Sequence, residues 1–161
     1  MDEIVARSLA KWPNVPAVYG WLALDRRGNW LIRSASATQT FERIGNTALR
    51  EFIGRNYEAD ARGRWFFQNG PQRVYVRLAY TPLVVHYDEG DTLVDHCGRP
   101  FGPAGEIFLD EEGSVLMEAA SRIALLDDRD LERHADNADR LSRIMRAQVA
   151  ERFAFVPEPC P

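Results

Sequence analysis

Residues 84–97, VVHYDEGDTLVDHC, gather the side chains best able to do chemistry: His86, Asp88, Glu89, Asp91, Asp95, His96 and Cys97. Imidazole, carboxylate and thiolate are the donors of zinc sites, so this stretch suggests a metal held by His86, Asp88, His96 and Cys97. The spacing argues the other way. His86 and His96 lie ten residues apart, and His96 and Cys97 are adjacent, pointing to opposite sides if extended. Neither His-Glu-x-x-His nor Cys-x-x-Cys is present. The plain alternative is a solvated acidic loop with a half-buried histidine.

A second group is Arg62, Arg64, Arg73, Tyr75 and Arg77, interleaved with Trp65, Phe66 and Phe67. In strands, Arg64, Phe66 and Gln68 share one face, and so do Arg73, Tyr75 and Arg77. Such a surface could stack bases and neutralise phosphate, as an anion site or a single-stranded nucleic-acid binder does. The net charge of −4 opposes attraction of a polyanion, so nucleic acid is disfavoured. Core aromatics with arginine stems laid over them explain the same residues.

Nucleophilic chemistry has the least support. Ser114, Ser121 and Ser142 lack a Gly-x-Ser-x-Gly setting. His96 neighbours Cys97 along the chain, which is not the spatial geometry a Cys–His pair needs.

These groups must be positioned by short elements. Residues 2–11 pattern as an amphipathic helix stopped by Pro13. VYGWLALDRRGNWLIR (18–33) reads as a hairpin, SASATQTFERI (34–44) as a loop, and 47–57 as a helix capped by Asn46. Strands flank QNGPQ, TPLVVHY continues the sheet, and residues 92–95 and 122–126 are short strands, with a hairpin over 105–119. A long C-terminal helix is predicted over about 128–152, its apolar line running through Leu131, Ala135, Ala138, Leu141, Met145 and Val149. That line suggests a dimer interface at Leu141, Met145 and Val149. Tight turns between successive strands imply antiparallel pairing. The expected class is α+β: antiparallel hairpins forming a sheet, one intervening helix and a long C-terminal helix. The expected organisation is a single domain over 1–161, with lobes 1–87 and 88–161 as the alternative division.

Three segments share Asp-x-x-Gly: LDRRGNW (24–30), ADARGRW (59–65) and LDEEGSV (109–115). Aspartate opens a type I turn by accepting a backbone N–H two residues on, and glycine closes it with positive φ. The middle residues reverse charge, Arg26–Arg27 against Glu111–Glu112, which argues against a common ligand. The motif is therefore read as one turn used three times.

The stretches YGWLALDRRGNWLIR and FIGRNYEADARGRWFFQNGPQRVYV, together with LDEEGSVLMEA, resemble a family of uncharacterised proteobacterial proteins classed only as a domain of unknown function. The likeness covers most of residues 16–130 and is most specific in RGRWFFQNGPQRVYV. It implies no activity, cofactor or catalytic residue.

Composition narrows the rest. The chain has 161 residues, 45% hydrophobic and 27% charged, enough for a packed core and against global disorder. Its apolar runs are short of a membrane span, and the acidic start MDEIVARSLAKW is unlike a signal peptide. Cys97 and Cys160 form no disulfide framework, so a cytoplasmic protein is expected. Residues 1–83 carry 12 basic and 7 acidic residues, net +5, and residues 84–161 carry 8 and 17, net −9. This asymmetry suits self-association through complementary charge. The sequence names no function. It favours a non-catalytic interaction module, a homodimer with a protein partner. The alternatives are a metal-binding protein or metal-dependent enzyme using the 86–97 loop, and a nucleic-acid binder using the 62–77 strands.

Overall fold

The computed structural model describes residues 1–35 and 40–161. The chain divides into two compact units. Unit 1 is Met1–Asp25, Asn29–Ala79 and Phe155–Pro161; unit 2 is Arg26–Gly28 and Tyr80–Ala154.

Unit 1 contains α1 (Glu3–Lys11), β1 (Val18–Leu24), β2 (Trp30–Arg33), β3 (Phe41–Arg43), α2 (Thr47–Arg55), β4 (Tyr57–Ala59), β5 (Trp65–Asn69) and β6 (Gln72–Leu78). Its sheet has the order β3-β2-β1-β6-β5-β4. Helix α2 starts where the Asn46 side chain accepts the Leu49 N–H at 3.0 Å, relieving one orphan donor of the first turn. Strand β3 corrects the reading of 34–44 as a loop; residues 36–39 of that segment lie outside the described residues. Register sets the faces: Phe66 opposes Tyr75 and Gln68 opposes Arg73 on one side, while Phe67 opposes Val74 and Tyr57 on the other. Phe52 of α2 meets the Phe67 ring edge-on at 5.5 Å, and Trp30 meets Tyr57 likewise at 4.9 Å, so aromatic contacts hold the core on this second side.

Unit 2 contains β7 (Leu83–Tyr87), β8 (Leu93–Asp95), β9 (Ile107–Leu109), β10 (Val115–Ala119), β11 (Arg122–Leu126), a 3-10 segment (Asp128–Arg140), β12 (Ser142–Arg143) and α3 (Arg146–Arg152). Its sheet has the order β12-β9-β10-β11-β7-β8. Phe108, Leu116, Met117, Ala124 and Val149 are fully buried at its centre.

Two expectations are corrected. The sheet is not one antiparallel sheet but two mixed ones, because β1 runs parallel to β6, β7 to β11, and β9 to β12. Each unit thus repeats one plan: its first strand lies beside the last strand of a later meander, in parallel. Tight turns fix only the antiparallel neighbours; the parallel contacts join strands far apart in sequence. The long C-terminal helix is also absent. Asp128–Arg140 is 3-10 and buries no residue, β12 follows, and the last helix is only seven residues long. Asp128, Asp130, Asp136, Asn137 and Asp139 are weak helix formers, and no apolar burial in the segment offsets that weakness. Leu141 and Met145 consequently share no helical face with Val149. Val149 is buried in the unit 2 core, and Met145 is 51% exposed.

The Asp-x-x-Gly turns form as expected, and the structure adds two. Asp60 accepts N–H groups from Arg62 and Arg64, and Asp110 from Glu112 and Ser114, through one carboxylate oxygen each. Asp25 accepts the Asn29 N–H at 2.8 Å. Asp95 does the same for Cys97 and Arg99, with Gly98 closing the turn at φ +78°. Asp88 accepts from Gly90 and Thr92, with Asp91 itself at φ +57° in the glycine place.

Gly28 and Gly113 separate two effects. Both have positive φ, but a Cβ on Gly28 would stand 2.5 Å from His96 Cβ, while one on Gly113 meets nothing within 4 Å. Gly113→Ala should cost about 1 kcal/mol from strain alone, and Gly28→Ala about 3 kcal/mol or more. Urea unfolding of both variants checks this; equal losses would contradict the close approach of His96 to the turn.

Candidate functional site

The candidate metal ligands stand in the β7–β8 hairpin and the turn after it. His86 is exposed on β7, opposite Val94. The Asp88 carboxylate is engaged by the Gly90 and Thr92 N–H groups, so it serves the turn. His96 exchanges contacts with Val84: its N–H donates to the Val84 carbonyl at 2.8 Å, and its Nδ1 lies 3.3 Å from the Val84 N–H. Burial pushes the Cys97 thiol up to about 12, with the Asp95 carboxylate adding to the shift, so the thiolate is scarce at neutral pH. Among the described residues, no group of three or more His, Cys, Asp or Glu side chains is arranged to hold a metal ion.

The arginine and aromatic residues do come together, on the Phe66–Tyr75 face of unit 1. The Arg73 guanidinium lies 4.3 Å from the Phe66 ring centroid and that of Arg64 4.6 Å from Tyr75, while Tyr19 stacks on Tyr75 at 4.7 Å. Arg64 is committed to Asp60 at 2.8 Å, and the Tyr75 hydroxyl donates to the same carboxylate at 2.9 Å. Burial alone would raise Asp60; the Arg64 N–H, the Tyr75 hydroxyl, the Arg62 N–H and the Arg64 guanidinium together hold it below the usual range. Arg77 pairs with Glu158 at 3.4 Å, and Arg62 is exposed. This face is a closed polar network over aromatic rings.

A recess lies elsewhere, in unit 2. A cleft of about 290 Å³ is lined by the buried Leu125 and Leu126 as its floor, by the half-buried Leu131, and by a rim of Arg26, Arg27, Glu112, Ser114 and Asp128. The turn tips build the rim. Arg26 Nη2 donates to Ser114 Oγ at 2.6 Å across 88 residues of sequence, and Arg26 stands 3.6 Å from Glu112. Glu112 also accepts from Arg146 at 2.8 Å. Arg27 forks onto the Asp128 carboxylate, at 3.0 Å through Nε and 2.8 Å through Nη2. Beneath, the Tyr80 ring lies under Arg26 and Arg146, at 5.1 and 4.9 Å, and its hydroxyl donates to Asp110 Oδ2 at 2.8 Å. Burial first, and then the Asp110 carboxylate, raise Tyr80 far above its usual range, so the phenol stays neutral. Outside the cleft lining, the Tyr87 hydroxyl lies 3.1 Å from His134 Nε2, and burial lowers His134. Met145 lines a separate recess of about 200 Å³ with Asp110, Glu111 and Gln148.

The sequence reading missed Arg26, Arg27, Ser114, Asp128 and Leu131 as a site. The charge reversal between Arg26–Arg27 and Glu111–Glu112 argues against a shared ligand, yet it is also what makes Arg26 and Glu112 partners.

Two compact units, each built on a mixed six-stranded sheet, define an α+β protein with a charged cleft over an apolar floor. The family model DUF2944, described as "Protein of unknown function (DUF2946)", matches residues 1–159, and the chain belongs to this family. It is a family of unknown function. No curated protein matches the chain. A DUF1285 family protein from Silicibacter pomeroyi DSS-3 shares the fold, with TM-score 0.53, 16% identity and 84% of each chain covered. A DUF1285 family protein from Shewanella baltica OS155 aligns with TM-score 0.48 and 10% identity, over 71% of this chain and 90% of its own. Among the described residues, no helix is long and apolar enough to cross a membrane.

Asp127 starts the 3-10 segment that presents Asp128. The Arg129 guanidinium, followed by its backbone N–H, holds Asp127 down at about 2, against an unfolded value of about 3.9. Its stabilisation is therefore complete above about pH 5 and disappears as pH falls through about 2. Asp127→Asn should lose about 1–2 kcal/mol at neutral pH, discounted because Arg129 is exposed, and should flatten the acid limb of stability. Urea midpoints from neutral to strongly acidic pH test this; parallel acid limbs would contradict it.

Proposed function

We propose that the protein is a cytoplasmic, non-catalytic binding module whose ligand site is the cleft of unit 2. The observation that carries this reading is what the deep polar groups do. Asp110 holds its turn and the Tyr80 hydroxyl, Tyr80 stays neutral, and the Cys97 thiol is held protonated. These groups stabilise a framework, while the rim above them carries accessible guanidinium and carboxylate groups in equal number. An apolar floor with a few convergent polar groups is the usual make-up of a ligand pocket, and about 290 Å³ falls just below the usual range of about 300–1,000 Å³. The cleft suits a small molecule.

Fragment binding followed by amide chemical shifts tests this. Ligands should move the amides of Glu112–Ser114 and Leu125–Leu131 in a saturable way. Hits scattered over both units, with the cleft silent, would contradict the reading.

Self-association is a second part of the proposal, supported by apolar side chains left open on unit 1: Trp21 at 48%, Ile32 at 46% and Trp12 at 57% exposure. By sequence count, unit 1 carries 10 basic and 8 acidic residues and unit 2 carries 10 and 16, so a second copy is the partner whose charge complements both. Sedimentation velocity should show a concentration-dependent dimer that Trp21→Asp weakens. A monomer at every concentration would contradict this part alone.

A further inference from the structure

We propose that the unit 2 cleft takes a small zwitterion with an apolar body, of the chemical class of free α-amino acids with aliphatic side chains. The proposal rests on the reading of that cleft as the ligand site. Its rim sets two guanidiniums, Arg26 and Arg27, against two carboxylates, Glu112 and Asp128. Any ligand entering there meets both signs. A simple anion would pair with an arginine and leave Glu112 or Asp128 facing it, and a simple cation would meet the reverse problem. An uncharged apolar molecule would strip water from ion pairs and return nothing. A zwitterion inserts into a guanidinium–carboxylate pair and satisfies both halves, its carboxylate on arginine and its ammonium on the acid.

The pairs are built to open. Arg27 and Asp128 have side chains 57% and 52% exposed, and Arg26 and Glu112 39% and 46%, where ion pairs contribute little to stability and exchange readily with water. Arg26 and Glu112 keep second partners in Ser114 and Arg146, so the rim holds its shape when the direct pair parts. Below them, Leu125, Leu126 and Leu131 offer an apolar seat for a side chain and none for a third charge. The small volume excludes ligands the size of a dinucleotide.

The test is amide-detected titration of the full chain with L-leucine, 4-methylpentanoate, which keeps only the carboxylate, and 3-methylbutylamine, which keeps only the amine. L-leucine should shift the Glu112–Ser114 and Leu125–Leu131 amides saturably, with each analogue at least about tenfold weaker. Arg27→Gln and Asp128→Asn, both surface changes that leave the core intact, should each weaken L-leucine by a similar factor. Equal binding of L-leucine and 4-methylpentanoate at these amides overturns the zwitterion while the ligand site stands. So does silence towards L-leucine when other fragments move the same amides. If no compound moves them, both readings fall.

Discussion

An aspartate carboxylate that accepts two backbone N–H groups inside a tight turn is the interaction on which this structure depends. A turn of this length leaves its inner N–H groups without strand partners, and a buried N–H left unpaired is costly. One oxygen of Asp60, Asp88, Asp95 and Asp110 takes two of them each, with the charge strengthening both bonds. Asp95 and Asp110 are almost completely buried, which a carboxylate tolerates only when its acceptors are filled. Because the turn closes itself, it fixes where one strand ends and the next begins, and with that the register of the meanders on both sheets.

The same device explains why the tips can differ. The aspartate and the residue with positive φ do the structural work, so the two residues between them are free to vary. They are Arg26–Arg27, Glu89–Gly90, His96–Cys97 and Glu111–Glu112 in unit 2. In that unit two tips of opposite charge meet over the leucines, and the cleft is the space they frame. The two units repeat the same strand plan, but their exposed chemistry is not repeated: unit 1 closes Arg64 onto Asp60 and lays Arg64 and Arg73 on aromatic rings.

What could be read from the sequence follows the range of the forces involved. Asp25, Asp60 and Asp110 were legible as turns because glycine stands at the fourth place. Asp88 was not, because Asp91 takes positive φ there, and Asp95 was obscured by its neighbours His96 and Cys97, which suggested a metal. The Asn46 cap and the Phe66/Tyr75 face were legible because both depend on neighbours or on strict alternation. The long helix over 128–152 failed because a spacing count gives Leu131, Ala138 and Val149 equal weight. The aspartates between them are weak helix formers, and only Val149 of the three is buried. The parallel pairings and the Arg26–Ser114–Glu112 contact join residues far apart along the chain, and no local pattern encodes them.

The central claim is that Arg26 and Glu112, carried on two separate aspartate turns, are held against each other at the rim. A double-mutant cycle of Arg26→Ala, Glu112→Ala and the pair, read as unfolding free energy at low and high salt, addresses it directly. The structure predicts a favourable coupling of about 0.5 kcal/mol at low salt that shrinks at high salt, as for a partly exposed ion pair. Strict additivity at low salt would mean that Arg26 and Glu112 are not held against each other, and would contradict the claim.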